Sequence, residues 1–248
     1  MKILLSGATG QMGKTITEMV SDSNHEIVAG FAKEPSNIYD YPVYSNLNIE
    51  EDVDIIIDFS SPHALNELLD FAEKKGIGIV LASTGYSDSD IEKIKSASNK
   101  IPIVFSGNLS VGINVMQMIA EKLSSLLKGF DIEIVEKHHR YKADSPSGTA
   151  KMLFDSVNKG RDNSLFKLEG RSGFYDERKE NEVGISSIRG GNIVGEHSVL
   201  FCGTDEIIEI KHIASSKKIF ANGSIQAAEF LLDKESGLYD MNNVLMEV

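Results

Sequence analysis

The sequence lacks the features of a secreted or membrane-spanning protein. Its 248 residues include a single cysteine, Cys202, so no disulfide can form within the chain, as is typical of the reducing cytosol. No apolar run approaches the ~20 residues that span a bilayer. The first residues do not form a basic and then apolar secretory signal, and we find no repeats or low-complexity tracts. We therefore expect a cytoplasmic protein with no membrane partner.

Positive charge is also scarce. Lysine and arginine number 25 against 37 aspartates and glutamates, which gives a formal net charge of −12. This balance argues against general binding to nucleic acid or to anionic membranes. Local cations and backbone N–H groups must therefore hold any anionic ligand. A hydrophobic content of 41% is enough for the core of one large domain or two moderate ones.

Spacings typical of metal sites are missing too. The sequence has no H-x-x-x-H and no C-x-x-C pattern. Its only adjacent histidines, His138 and His139, would point to opposite faces of an extended chain. A metal site at this pair stays an alternative that the spacing does not favour.

The N-terminal half alternates strands and helices. A strand at 2–6 leads into the glycine turn at 7–13, then a helix and a second strand at 26–31. That order is the context in which a glycine turn binds a dinucleotide. Gly10 and Gly13 fit the last two glycines of G-x-G-x-x-G, whereas Ala8 occupies the first position. Glycine turns also follow strands without any ligand, so the interpretation depends on this context.

Further strands are expected at 53–59, 77–82 and 101–105. Ligands bind at the carboxyl ends of strands in open α/β sheets. Phe59, the segment Ser83-Thr84-Gly85 and Asn108 are therefore expected near the cofactor, although turn chemistry explains each of them singly. Past the second strand, Lys33 favours the 2′-phosphate of NADPH, while Glu34 keeps NADH open.

The second half has a different pattern. We predict a helix at 111–127, a strand at 130–136 with period-two alternation, and a helix at 147–158. The segment 159–181 is interpreted as a long loop anchored by Phe166 and Phe174. Three strands and a helix follow, at 183–189, 192–202, 206–212 and 219–232. The fold class is α/β: a Rossmann-type parallel sheet in 1–108, completed by 217–248, and an α+β domain with a mixed sheet in 109–216.

A charged stretch precedes the helix at 147. It contains His138, His139, Arg140 and Lys142, and it leads to Ser147 as a helix N-cap with Gly148 and Thr149 behind it. Free N–H groups at a helix start bind carboxylates, lysine and arginine add charge, and histidine exchanges protons near neutral pH. The pattern indicates a carboxylate substrate beside an acid catalyst, with a solvated loop as the alternative.

The segment 136–151, E-K-H-H-R-Y-K-A-D-S-P-S-G-T-A-K, closely resembles the signature of the 4-hydroxy-tetrahydrodipicolinate reductase (dihydrodipicolinate reductase) family. The resemblance spans essentially the whole chain through further segments at 7–13, 58–60, 83–85, 108–112, 187–191, 195–197, 220–223 and 237–239. It implies reduction of a small dicarboxylate, 4-hydroxy-tetrahydrodipicolinate, to tetrahydrodipicolinate in diaminopimelate and lysine biosynthesis. NADPH or NADH would be the cofactor, and the assembly a homotetramer formed through the mixed sheet.

The resemblance also implies residue roles. His138, as an imidazolium, would be the catalytic acid, with Lys142 as its partner. The residues implied to hold the substrate carboxylates are His139, Lys142, Ser147, Gly148 and Thr149. The residues implied to bind the cofactor are Gly7, Gly10, Gln11, Met12, Gly13, Lys33, Phe59, Ser83, Thr84, Gly85, Asn108 and Leu109. The family commonly has an acid where Lys33 stands, so the coenzyme preference stays open, as does dehydration of the substrate on the enzyme.

Three other functions would account for part of the sequence. Another two-domain NAD(P) dehydrogenase of amino-acid metabolism would share the N-terminal half but needs no H-H-x-x-K followed by S-G-T. A non-catalytic NADP-sensing protein would not need His138 and Lys142. A purely structural protein would not need the dense site chemistry.

Overall fold

A computed structural model describes residues 1–174 and 177–247. The chain forms two compact units. The first comprises Met1–Val111 together with Lys217–Val248, and the second comprises Gly112–Ser216.

The first unit contains a seven-stranded parallel sheet. Its strands are β1 (Lys2–Ser6), β2 (Glu26–Phe31), β3 (Val43–Tyr44), β4 (Ile55–Asp58), β5 (Gly78–Leu81), β6 (Pro102–Phe105) and β12 (Gly237–Tyr239). Its helices are α1 (Gln11–Ser21), α2 (Leu65–Lys75), α3 (Asp88–Ala97), α6 (Lys218–Leu231) and α7 (Met241–Met246), with a 3-10 turn at Pro62–Ala64. The strand order is β12-β6-β5-β4-β1-β2-β3. The two edge strands, β3 and β12, were not predicted.

Burial on both faces explains the apolar strands. All four residues of β4 are buried, and continuous apolar runs are typical of parallel strands covered by helices on both sides. One core cluster joins the sheet to α1 and α6 through residues such as Ile16 and Ala227. The other joins it to α2 and α3 through Leu68 and Ile94. The carboxyl ends of the strands are left at one edge, where the predicted cofactor residues lie.

The second unit contains a five-stranded sheet in the order β11-β10-β7-β9-β8. Its elements are α4 (Val111–Leu126), β7 (Asp131–His138), α5 (Gly148–Lys159), β8 (Phe166–Glu169), β9 (Glu182–Arg189), β10 (Gly195–Cys202) and β11 (Ile207–Ala214). β7 pairs parallel to β9 and antiparallel to β10. The predicted fold class, a parallel Rossmann-type sheet with a mixed second sheet, is confirmed.

Two local predictions were wrong. The strand expected at 130–136 continues to His138, so this histidine lies on the sheet and not in the following loop. The segment 159–181 contains strand β8, and its predicted anchor Phe174 is fully exposed while Phe166 is 38% exposed. Charge holds the segment instead, because Arg171 donates two hydrogen bonds to Glu133, at 2.7 and 2.8 Å. Residues 175 and 176 lie outside the described residues.

Within the part of the chain that the structure describes, no helix combines the length and the apolarity needed to cross a membrane.

Candidate active site

The glycine turn of the first unit brings the start of α1 close to β1. Gly7 has φ +80°, and a Cβ there would lie 2.7 Å from the carbonyl oxygen of Phe59. A Cβ at Gly13 would lie 2.3 Å from the carbonyl oxygen of Ala8. Glycine is needed at both positions because no side chain fits. The turn therefore packs directly against the chain that follows β4.

The N-terminus of α1 is suited to an anion. The helix begins at Gln11 after the cap residue Gly10, has no side-chain cap and carries no acidic residue in its first turn. Its first N–H groups therefore have neither an intrahelical acceptor nor a competing carboxylate. Gly10 and Gln11 are exposed, whereas Met12 is partly buried against the core.

A buried carboxylate joins two of the strand ends. Asp58, at the end of β4, accepts hydrogen bonds from Ser83 Oγ at 2.9 Å and from Ser60 Oγ at 2.5 Å. The hydroxyl of Ser83 is thus engaged inside the protein. Thr84 and Gly85 are exposed, with Gly85 at φ +87°. Asn108 and Leu109 are buried, with 8% and 2% exposure.

Two lysines flank the glycine turn. The amide of Gly7 donates to the carbonyl of Phe31 at 2.8 Å, so the end of β2 lies against the turn, and Lys33 follows it as an exposed residue. Lys217 Nζ donates to Gln11 Oε1 at 2.5 Å, which places its charge at the start of α1. No role was predicted for Lys217 from the sequence, because a separation of 206 residues hides the contact.

The second unit places its reactive groups at the end of β7. The side chains of Ile132, Ile134, Glu136 and His138 alternate onto the buried face of this strand. Ile132 and Ile134 belong to the hydrophobic core. The same face then carries a carboxylate and an imidazole, buried to 0% and 8% exposure. A buried charge requires partners, and β9 and the start of α5 supply them.

Four hydrogen bonds surround Glu136. Arg189 Nη1 and Nη2 donate to its two carboxylate oxygens, both at 2.7 Å. The backbone N–H of Ser147 donates at 3.1 Å, and Nδ1 of His138 lies 2.6 Å away. Burial alone would raise the pKa of Glu136, but the hydrogen bonds from Arg189 and His138 lower it to about 2. Glu136 is therefore an ionised carboxylate throughout the physiological pH range.

His138 lies between Glu136 and a second histidine. Burial lowers the pKa of His138, and the hydrogen bond with Glu136 opposes this shift. The neutral form of the ring is therefore favoured at pH 7, and the imidazolium implied by the resemblance stays a prediction for the reacting enzyme. The ring of His197 packs edge-on against it, with 5.1 Å between centroids, and burial lowers the pKa of His197 to about 4. A Cβ at Gly195 would come within 3.2 Å of His138 Nε2.

Ser147 is engaged inside the protein. Its hydroxyl caps α5 by accepting from the N–H of Ala150 at 3.2 Å, and it lies 3.0 Å from His197 Nε2. Its own N–H is taken by Glu136, and the residue is 2% exposed. Ser147 thus builds the helix start and does not offer its amide to a ligand. Gly148 is exposed beside it, and Thr149 is half-buried.

Lys142 lies on the turn that follows β7. Its N–H donates to the carbonyl of His139 at 3.1 Å, which closes the turn and brings the two residues together. Its ammonium pairs with Asp144 at 2.8 Å. The hydrogen bond from Lys142 lowers the pKa of Asp144. Asp144 therefore pairs with the lysine that was predicted to bind a substrate carboxylate.

Sequence reasoning assigned no role to Glu136, Arg189 or His197. A glutamate on the buried face of a period-two strand was the available signal, because such a residue needs a buried partner. Its partners come from β9 and the start of α5, which the sequence places far away. Among the described residues, no group of three or more His, Cys, Asp and Glu side chains is arranged to hold a metal ion.

Comparison with known proteins places both units in one family. Residues 1–109 match the family model for the N-terminus of dihydrodipicolinate reductase, and residues 112–245 match the model for its C-terminus. The 4-hydroxy-tetrahydrodipicolinate reductase of Brachyspira hyodysenteriae is 44% identical over 99% of this chain and 100% of its own length. The enzyme of that name from Clostridium tetani is 45% identical over 98% of this chain and 96% of its own.

A solved structure agrees at the level of the fold. Dihydrodipicolinate reductase of Paenisporosarcina sp. TG-14, with dipicolinate bound, aligns with a TM-score of 0.81. It covers 96% of this chain and 97% of its own, at 21% identity. Since the two family models and the close relatives cover nearly the whole chain, this protein belongs to the 4-hydroxy-tetrahydrodipicolinate reductase family, a family of NAD(P)H-dependent oxidoreductases.

Proposed function

We propose that the strand-end loops of the first unit hold NAD(P)H, and that the end of β7 in the second unit holds the dicarboxylate substrate and gives it a proton. As a family member, the chain catalyses the reduction of 4-hydroxy-tetrahydrodipicolinate to tetrahydrodipicolinate in the diaminopimelate and lysine pathway. The observation that supports the site assignment is the buried His138, next to the start of α5 and the Lys142 turn.

The first unit fits the coenzyme. Gly7 and Gly13 let the turn pack directly against neighbouring backbone, and the start of α1 offers N–H groups to a pyrophosphate. Lys217 adds positive charge at Gln11. Phe59, Thr84, Gly85, Asn108 and Leu109 would line the remainder of the cofactor. When bound, the reduced nicotinamide supplies the hydride.

The second unit fits a dicarboxylate, the class of ligand named for the solved relative with dipicolinate. Gly148 and Thr149 stand at the N-terminus of α5, where N–H groups favour an anion. Lys142 would exchange its contact with Asp144 for a substrate carboxylate. His139 is carried by the same turn. These contacts would fix the orientation of the substrate ring and so the carbon that accepts hydride.

His138 would supply the proton that completes the reduction. Hydride addition to a carbon conjugated to the imine moves an electron pair toward the nitrogen side, and a proton must neutralise it. Burial lowers the pKa of His138, and two substrate carboxylates nearby would raise it. The imidazole would therefore take up its proton together with the substrate and release it during reduction. Lys142 would stabilise the developing negative charge.

The preference between coenzymes would depend on Lys33. This lysine is exposed two residues beyond Phe31, whose carbonyl binds the glycine turn. A cation at this position favours a 2′-phosphate, and the adjacent Glu34 can accept a ribose hydroxyl. We propose that NADPH is preferred and that NADH is also used.

A homotetramer assembled through the mixed sheet is the proposed quaternary structure. Ile207 and Ile213 on β11 are 64% and 57% exposed. They lie on the face opposite Ile208 and Ile210, which pack on the core. Light scattering of the purified protein would measure the mass of the assembly, and the mass of a monomer would refute the homotetramer.

Turnover with both coenzymes tests the proposal. Oxidation of NADPH and of NADH would be followed by the loss of nicotinamide absorbance, with the substrate generated in place from pyruvate and aspartate semialdehyde by a synthase. We expect turnover with both coenzymes, and faster with NADPH at low coenzyme concentration. A folded protein that binds coenzyme but turns over neither would overturn the assignment and favour a sensor or another dehydrogenase.

A further inference from the structure

We propose that Glu136 is a positioning residue that keeps a proton on Nδ1 of His138, so that Nε2 is the nitrogen that gives its proton to the substrate, with Arg189 locking the carboxylate in place. The proposal rests on the role of His138 in the proposed function.

The contacts of Glu136 determine the tautomer of His138. An ionised carboxylate accepts hydrogen bonds and donates none. The 2.6 Å contact from His138 Nδ1 therefore requires the proton on Nδ1. The lone pair of the neutral ring is then on Nε2, and this nitrogen must gain and lose the catalytic proton. A carboxylate that orients histidine in this way is a recurring arrangement in general acid–base catalysis.

The surroundings make His138 the accessible member of this pair. The side chain of Glu136 is 0% exposed, whereas that of His138 retains 11%. Gly195 faces Nε2, and the absence of a side chain there keeps this side of the ring clear. A substrate can thus reach the histidine but not the glutamate.

Only a carboxylate suits position 136. Its two oxygens receive Arg189 Nη1 and Nη2, the Ser147 amide and His138 Nδ1. A glutamine would turn an N–H group toward a guanidinium donor in either orientation of its amide. One orientation would also face His138 Nδ1 with a donor and reverse the tautomer. The bidentate contact from Arg189 therefore selects a carboxylate over an amide at position 136, and it keeps that carboxylate ionised.

The test compares Glu136→Gln with Glu133→Gln in the full-length enzyme. Glu133 lies on the same strand but on the opposite face, and it also receives two hydrogen bonds from an arginine, Arg171. We expect Glu136→Gln to lower kcat about 100-fold with KM changed less than about threefold. The fall of kcat with rising pH should begin at lower pH, since Glu136 raises the pKa of His138. Glu133→Gln should change neither kcat nor its pH dependence.

A double-mutant cycle separates this inference from the proposed function. If Glu136 acts through His138, Glu136→Gln should have no further effect on kcat in a His138→Ala background. If His138→Ala keeps near-normal turnover, the proposed function fails. If His138→Ala is impaired while Glu136→Gln matches Glu133→Gln, only this inference fails.

The wild-type enzyme offers a test that needs no variant. The ¹⁵N shifts of the His138 ring at pH 8 report which nitrogen is protonated. We expect protonation at Nδ1, and protonation at Nε2 would overturn the proposal even if Glu136→Gln did not fold.

Discussion

Arg189→Met should destabilise the protein by leaving the Glu136 carboxylate buried without its main partner. Arg189 donates to both oxygens of Glu136 and also to the Asp144 carbonyl, at 2.6 Å. These contacts and His138 hold the pKa of Glu136 at about 2, against an ordinary value of 4.5. This difference corresponds to about 3 kcal/mol of folding free energy at pH 7. Breaking a buried ion pair typically costs about 3–5 kcal/mol, so the two figures agree.

The pH dependence has a definite sign. Because the folded pKa of Glu136 is depressed, its contribution is fully present above pH 4.5 and is lost as the pH falls toward about 2. Arg189→Met should remove most of this contribution to folding stability, because burial without the arginine raises the pKa of Glu136. The stability deficit of the variant should therefore be largest at pH 7 and should shrink below pH 4.5.

Urea unfolding at pH 7, 5 and 3.5 measures this deficit. The protein has no tryptophan, so circular dichroism is the suitable signal. Lys159→Met is the matched control, because Lys159 pairs with Glu121 at 3.0 Å on an exposed surface. It should change the unfolding free energy by less than about 1 kcal/mol. A deficit for Arg189→Met no larger than the control, or one that does not depend on pH, would refute the reasoning.

Three further substitutions test other parts of the site. Gly195→Ala places a methyl group about 3.2 Å from His138 Nε2 and should lower kcat about 10-fold by displacing the ring, with coenzyme affinity unchanged. Lys217→Met removes the cation at Gln11 and should weaken NADPH binding about 5-fold in a fluorescence titration, more at low salt than at high salt. Lys33→Asp should shift the ratio of kcat/KM for NADPH and NADH toward NADH.

Each of these predictions has a contrary outcome. Normal turnover in Gly195→Ala would show that the space beside Nε2 is not needed. Lys93→Met, on α3, is the control for Lys217→Met. Equal NADPH affinity in these two variants would show that Lys217 does not help to bind the coenzyme phosphates. An unchanged coenzyme ratio in Lys33→Asp would show that Lys33 does not contact the 2′-phosphate.

Local patterns in the sequence predicted much of the fold. The glycine turn, the apolar strands and the period-two alternation of β7 each follow from neighbouring residues, and these elements are close to where they were expected. Strand β7 continues to His138 because pairing with Arg189 of β9 extends it, and this contact spans distant residues. The exposed Phe174 was expected to anchor a loop that ion pairs hold instead.

Only the contiguous part of the candidate site could be predicted, because local patterns in a sequence do not show contacts between distant residues. The motif from His138 to Thr149 is contiguous, so its residues could be singled out together. The partners of Glu136 could not be, since Arg189 is 53 residues away along the chain. Lys217 reaches Gln11 only through the return of the chain to the first unit. Side chains whose roles depend on such contacts need the fold before their chemistry can be assigned.

The rate of hydride transfer in a single turnover of His138→Gln tests the central claim most directly. The measurement would follow NADPH absorbance after mixing saturating enzyme–coenzyme complex with substrate. If His138 supplies the proton, the rate should fall at least about 100-fold while NADPH affinity stays at the wild-type value. A rate within about threefold of wild type would contradict the account and assign the proton to another group.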